Sequence, residues 1–284
     1  MEKKIMLTQG TRYIGQEGCY AVSRLIGRGA YGLVYEAWDV MVERRVVIKQ
    51  AFANTVPILL YEARMLSLLH SLSTVPRFIE LLHEPEPLLL MQLRRGRPLF
   101  QWQHTFCGAR VPFPLLMQVG YKLARAVEGL HALGMAHGDL HVGNVLFHPE
   151  EGISLLDFGC ARLFDDDAGQ SLRRRAAPIS LPSGFFWLGA KAYAAPERFQ
   201  TRRASAETDM YSLGVLLYEL AAGKLPGSLQ AQPLPRCLWN GLGSLIRQLL
   251  HPDPLYRPTA AATVAELRLL AHLHETDSVS LVPA

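Results

Sequence analysis

The sequence is short of lysine: only 6 of its 29 basic residues are lysine, and the other 23 are arginine. Asparagine occurs 3 times and cysteine 4 times. No apolar run approaches the ~20 residues of a membrane span. Each shortage excludes something. Cys19, Cys107, Cys160 and Cys237 form no C-x-x-C pair, and a chain of 284 residues is too long to need disulfide staples. Free thiols in a reducing compartment follow. No apolar stretch comes after Met1-Glu2-Lys3-Lys4-Ile5, so no secretory signal peptide is read. These features predict a soluble, cytoplasmic protein without a membrane span, with secretion by a route lacking a cleaved signal left open. The net charge of +4 is not clustered enough to point to nucleic acid.

What is present describes a folded chain. Apolar residues make up 49% and charged residues 19%, which excludes an extended disordered polymer. The length allows one two-lobed domain or two small ones. Residues 20–52 read as strands interrupted by Gly27, Gly29 and Gly32, with Val46-Val47-Ile48 β-branched. After Pro57 the period changes: Ile58, Leu59, Ala63, Leu66 and Leu69 share a helical face. Strand-like runs follow at 78–82 and 88–93, then a basic connector, Arg94-Arg95-Gly96-Arg97. Leu116, Val119, Leu123, Val127, Leu130 and Leu133 step by three or four along a buried helix, with Gly134 as its cap. Residues 209–222 and 259–273 read as further helices. Residues 165–188, mixing acids, arginines, prolines and glycine, read as a long loop, and the C-terminal end as a loose tail. A strand-rich half joined to a helical half predicts a cleft, a common ligand site.

Four motifs carry chemistry. Gly27-Arg28-Gly29-Ala30-Tyr31-Gly32 lies between strands, where glycines let backbone N–H groups approach phosphate oxygens. Alone it is weak, since a flexible hairpin turn would look the same. Lys49 ends Val46-Val47-Ile48 and would place an ammonium at the inner end of a strand, where burial demands an anion. Glu62, thirteen residues on, is a candidate partner; an ordinary exposed glutamate is the plainer alternative. His137-Gly138-Asp139-Leu140-His141-Val142-Gly143-Asn144 is far stronger. In a chain with so few asparagines, H-x-D-x-x-x-x-N arises by chance in about three per thousand sequences. One of its acidic and amide groups can accept a proton while the other holds a cation. Leu155-Leu156-Asp157-Phe158-Gly159 ends an apolar strand in a carboxylate suited to a hard cation.

In this order the motifs resemble the eukaryotic-like (Hanks-type) protein kinases, serine/threonine type before tyrosine. Ala195-Pro196-Glu197, the helix opening at Asp209 and Arg257 in Asp253-Pro254-Leu255-Tyr256-Arg257-Pro258 extend the resemblance over residues 20–272. It implies an α+β, bilobal fold: a small antiparallel-sheet N-lobe with one helix (20–91), a hinge (92–97) and a larger, mainly helical C-lobe (98–272). Residues 1–19 would be an N-terminal extension and 273–284 a flexible tail. It also implies ATP and Mg²⁺ as cofactors and a protein substrate, with room for a regulatory partner. Ile26, Gly27, Arg28, Gly29, Ala30, Tyr31, Gly32 and Leu33 would cover the phosphates. Lys49 would hold them and pair with Glu62. Val34, Val47 and Leu146 would enclose the adenine, with Met91 as gatekeeper and Gln92 and Arg94 as hinge contacts. Asn144 and Asp157 would bind the metal, and Asp139 would orient the acceptor hydroxyl.

Three positions depart from the pattern. Gly138 stands where an arginine is usual, so activity is expected not to require a loop phosphate read through that residue. His141 replaces a lysine and Ala190 a threonine. His-Gly-Asp-Leu-His also resembles aminoglycoside-type small-molecule kinases, which generally lack the Ala-Pro-Glu, Asp209 and Arg257 features. A pseudokinase scaffold is a third reading, opposed by the presence of Lys49, Asp139, Asn144 and Asp157. Ser171, Ser180 and Ser183 beside Arg173-Arg174-Arg175 mark a segment for autophosphorylation or docking, or else a solvated loop. Phe185-Phe186-Trp187 is read as packing, and Cys160 as a buried, inert thiol.

Overall fold

Alternating β-branched and aromatic residues need a sheet to bury one face. In the computed structural model they find it in six antiparallel strands in the order β1-β2-β3-β4-β6-β5. The strands are β1 (Arg12–Ile14), β2 (Cys19–Arg28), β3 (Gly32–Asp39), β4 (Arg44–Ala51), β5 (Phe78–Leu82) and β6 (Leu88–Gln92). Residues 6–175, 189–226 and 241–279 are described. The chain divides into two compact units, the first holding the residues up to Arg94. In that unit Tyr20, Tyr35, Val46, Ile48, Leu88 and Leu90 make one core. Helix α1 (Val56–Leu68) packs on β4, β5 and β6, and Pro57 sits in its first turn, where a missing N–H costs nothing.

The first unit also holds part of the segment read as an extension. Strand β1 pairs with β2, Tyr13 opposite Tyr20. A buried carboxylate secures the turn between them. Glu80 accepts from the Gln16 N–H at 2.9 Å, the Glu17 N–H at 3.3 Å and the Tyr20 hydroxyl at 2.5 Å. A Cβ at Gly15 would lie 2.3 Å from that carboxylate, so only glycine lets the turn close on it.

The second unit is built on helices. Short β7 (Arg97–Pro98) and α2 (Leu99–Gln103) lead into α3 (Phe113–Ala132), which buries Leu116, Val119, Leu123, Val127 and Leu130, the stripe read from the sequence. Then come β8 (Met135–Ala136), β9 (Val145–His148), β10 (Gly152–Leu155) and β11 (Arg162–Leu163), with β7, β9 and β10 in one small sheet and β8 and β11 in another. Next are α4 (Asp167–Arg175), α5 (Arg198–Thr201), α6 (Ala206–Ala222), α7 (Leu242–Leu249) and α8 (Ala260–Val279). Helix α6 is buried on every side from Thr208 to Ala222, as a central core helix is. Ser205 and Thr208 cap it reciprocally, and Gly223 closes it in the left-handed region. Gly120 lets α3 approach α6, since a Cβ there would lie 3.0 Å from Leu217 Cδ2.

Two sequence expectations need correction. The loop read at 165–188 contains α4. Its apolar signal is almost nil, with Leu172 its buried apolar residue among the described ones, but its charges suit a helix dipole. Asp165, Asp166 and Asp167 stand at the N-terminal end and the arginines at the C-terminal end. Asp166 Oδ1 accepts from the Gly169 N–H at 2.9 Å, as an N-cap does. Its docking is tight: a Cβ on Gly134 would lie 2.2 Å from the Gly169 nitrogen. The tail expected from 273 instead continues α8 to Val279. No Gly or Pro intervenes between Pro258 and Pro283, and propagation is cheap once a helix is nucleated. Ser180, Ser183, Phe185-Phe186-Trp187 and Cys237 lie outside the described residues. Among the described residues no helix is long and apolar enough to cross a membrane.

Candidate active site

The first unit supplies a glycine turn and a buried ion pair. Between β2 and β3 the Gly29 N–H donates to the Gly32 carbonyl at 3.0 Å. The Tyr31 carbonyl accepts from the Phe52 N–H at 2.9 Å and from the Thr55 hydroxyl, anchoring the tip. The glycines differ in purpose. A Cβ at Gly32 would lie 2.1 Å from the Gln50 carbonyl, so Gly32 is required by β4 behind it. A Cβ at Gly29 would meet nothing within 4 Å, so the backbone there is open to an incoming anion. Ile26, Gly27 and Arg28 close β2, with a bulge between Leu25 and Gly27; Ala30 lies in the turn; Leu33 and Val34 open β3.

Lys49 is Val34's partner across β3–β4, and Val47 is Met91's across β4–β6. The Lys49 ammonium meets Glu62 Oε2 at 2.5 Å, with Glu62 1% exposed. The exposed-glutamate alternative is therefore excluded. Gln92 ends β6, its N–H on the Arg77 carbonyl at 2.8 Å, and Arg94 follows two residues on.

The second unit gathers the rest. Leu146 lies on β9. Asp139 is held from two sides: Oδ1 accepts from the Ala190 N–H at 2.7 Å, and Oδ2 from Asn144 Nδ2 at 3.2 Å. Asn144 also reaches the Asp139 carbonyl at 3.0 Å, tying the two ends of the loop. Gly189 has φ +64°, and a Cβ there would lie 2.4 Å from Asp139 Oδ1, so this close pass requires glycine. Ala190, without a hydroxyl, reaches Asp139 through its backbone N–H. His141 takes its Gly143 N–H at Nδ1 (3.1 Å), which leaves Nε2 3.8 Å from Asp139 Oδ2. Asp157 has φ +63°, a conformation costly for a non-glycine residue and characteristic of functional turns. The Phe158 ring is fully buried against His137, centroids 4.9 Å apart.

The loop rests on two buried supports. His137 donates from Nε2 to the Leu156 carbonyl at 3.0 Å and accepts the Asp139 N–H at Nδ1 (3.2 Å), which fixes one tautomer. Burial holds its imidazole below the usual histidine value. Asp209 accepts the His137 N–H at 2.7 Å, the Gly138 N–H at 2.9 Å and His131 Nε2 at 2.9 Å. Burial raises that carboxyl, but the His131 hydrogen bond, the neighbouring imidazoles and the Gly138 amide outweigh it and hold it below the usual aspartate range. A carboxyl lowered by folding stabilises the native state above its unfolded pKa of about 3.9, and that stability is lost as pH falls further. Denaturant midpoints measured from pH 5 to pH 3 should therefore fall more steeply for the native protein than for Asp209→Asn. Parallel slopes would remove Asp209 from the acid response.

The residues present suit the implied groups. Asp157 and Asn144 offer the oxygen donors that Mg²⁺ prefers, and the open turn at Gly29 suits a phosphate.

Comparison with known proteins decides the family. Residues 20–267 match the protein kinase domain. The chain belongs to the protein kinase family. Among its relatives, serine/threonine-protein kinase Pkn1 of Myxococcus xanthus is 32% identical over 74% of this chain and 29% of that protein. Myxococcus xanthus pkn2 is 30% identical over 90% and 33%. PknA of Mycobacterium tuberculosis is 32% identical over 88% and 55%. The chain thus spans about a third to about half the length of these curated relatives.

Within this kinase domain several supporting residues were not read from the sequence. Tyr193 donates to Glu219, which also takes Gln103 Nε2 at 3.4 Å, and Ser212 donates to the Tyr193 carbonyl at 2.9 Å. This buried set ties the segment after Ala190 to α6. Arg198, one residue beyond Ala195-Pro196-Glu197, carries no motif signature of its own. Cys160 is buried as expected, and burial, with Asp139 and Asp157 nearby, pushes its thiol well up, which makes it a poor nucleophile.

Proposed function

We propose that this kinase domain transfers the γ-phosphoryl group of ATP to serine or threonine hydroxyls of a protein substrate. The observation that carries the reading is Asp139: a carboxylate fixed at both oxygens, beside Asn144 and within the histidine–Asp209 framework. Phosphoryl transfer asks mainly for positioning and charge neutralisation, and rigid donors supply both. Mg²⁺ bound with ATP neutralises phosphate charge. By the family's pattern, Lys49, oriented by Glu62, would hold the α- and β-phosphates. Asp157 and Asn144 would hold the metal. Val34, Val47 and Leu146 would contact the adenine, as would Met91, Gln92 and Arg94. Asp139 orients the acceptor hydroxyl and takes its proton.

Serine/threonine preference is supported by the names of the relatives. The Glu197–Arg257 pair and the Tyr193–Glu219 set favour a protein acceptor over a small alcohol, because they brace the segment beside Asp139. Free thiols at Cys19, Cys107 and Cys160 suit a reducing, cytoplasmic setting. Ser171, exposed on α4, is a candidate autophosphorylation site. Incubation with Mg·ATP and a protein acceptor, followed by phosphosite mapping, is expected to yield phosphoserine and phosphothreonine. Phosphate appearing only on a panel of small alcohols would overturn the reading.

A further inference from the structure

Gly138 leaves the residue before Asp139 with no side chain and a φ of +78°. Nothing larger fits: a Cβ there would lie 2.4 Å from the Cys160 carbonyl and 3.0 Å from the Ala204 Cβ. Glycine has the widest backbone freedom of any residue. The peptide unit joining Gly138 to Asp139 sets where the Asp139 side chain starts, so a glycine here weakens its own control of the aspartate.

Two contacts restore that control. The amide side of the unit, the Asp139 N–H, donates to His137 Nδ1 at 3.2 Å. The carbonyl side, Gly138 O, accepts from the guanidinium of Arg198. Arg198 is the first residue of α5, directly after Ala195-Pro196-Glu197, and is 4% exposed. A guanidinium buried this deeply is costly unless anions compensate it. A charge-assisted bond to a carbonyl is about twice as strong as a neutral one.

We propose that Arg198 is a positioning residue for phosphoryl transfer: its guanidinium clamps the Gly138 carbonyl and keeps the Gly138–Asp139 peptide from turning over. The clamp takes its cation from sixty residues along the chain, because position 138 has no room for one. This rests on the proposed kinase function. Arg198 acts through the Gly138 carbonyl, so its loss is expected to act on turnover and not on nucleotide affinity.

The test compares wild type, Arg198→Lys and Arg198→Met by three measurements. These are melting temperature, Kd for Mg²⁺ with a non-hydrolysable ATP analogue, and kcat and KM on dephosphorylated casein. Lysine can still reach a carbonyl with one donor; methionine fills the space without donating. The expected result is unchanged Kd, a kcat lowered three- to tenfold in Arg198→Lys, and a kcat lowered more than thirtyfold in Arg198→Met. Wild-type kcat in folded Arg198→Met overturns the proposal, as does a loss of nucleotide affinity in proportion to kcat. If Arg198→Met does not fold, Arg198→Lys decides: a lowered kcat at constant Kd supports the clamp, and an unchanged kcat overturns it. A wild-type protein that binds the analogue but phosphorylates nothing would instead sink the kinase reading.

Discussion

Asp139→Asn is expected to lower phosphoryl transfer by about 10²- to 10⁴-fold, the range that a positioned general base contributes, while leaving ATP affinity intact. The substitution keeps shape and changes chemistry. The asparagine carbonyl oxygen can still accept from the Ala190 N–H, at present 2.7 Å from Oδ1. The new amide nitrogen would face the Asn144 Nδ2 donor, at present 3.2 Å from Oδ2, so one side-chain bond is lost. Asn144 keeps its separate bond to the Asp139 main-chain carbonyl at 3.0 Å, so the loop stays tied. What disappears is the capacity to take a proton from the acceptor. Single-turnover transfer and equilibrium binding of an ATP analogue, measured on one preparation, separate these effects. Transfer at the native rate would remove Asp139 from the chemistry, and loss of nucleotide binding would make its role structural.

The chemical groups at this site were readable because they are scarce residue types at fixed spacing. Three asparagines and six lysines in 284 residues make Asn144 and Lys49 conspicuous. The α3 stripe was readable because a buried face repeats every three or four residues. Other elements were not, for physical reasons. Helix α4 hides its signal in end charges and one cap, with hardly any apolar period to find. Strand β1 is three residues long, and its docking depends on Glu80, sixty-four residues away from Gln16. Glu62, off the apolar stripe of α1, could be read either as the partner of Lys49 or as an exposed glutamate, and the buried pairing is what separates the two. The braces of the loop are longer-range still: Ala190 acts through its backbone, which has no residue-type signature, and Arg198 through a carbonyl that any residue at 138 would carry.

The other large effect expected is on stability, at Arg257. Its guanidinium has five N–H donors, and the structure gives acceptors for all of them. Nε donates to the His251 carbonyl at 2.8 Å. Nη1 donates to Glu197 Oε1 at 2.5 Å and to the Glu207 carbonyl at 2.9 Å. Nη2 donates to Glu197 Oε2 at 2.8 Å and to the Pro252 carbonyl at 3.1 Å. The guanidinium carbon also lies 5.0 Å from the Tyr211 ring centroid. One side chain thereby joins the start of α5, the start of α6 and the turn before α8. Arg257→Met would fill similar space but leave the Glu197 carboxylate and three carbonyls without this partner. Removing one partner of a buried pair costs about 3–5 kcal/mol. In a domain of this size that is a fall of roughly 6–20 °C in melting temperature. Adding Glu197→Gln removes the stranded charge, so the double variant should be destabilised less than the two single effects summed. Thermal melts of the four proteins check both statements. A shift under 2 °C for Arg257→Met would show that the joined elements hold without it, and strict additivity would show that the carboxylate does not depend on its partner.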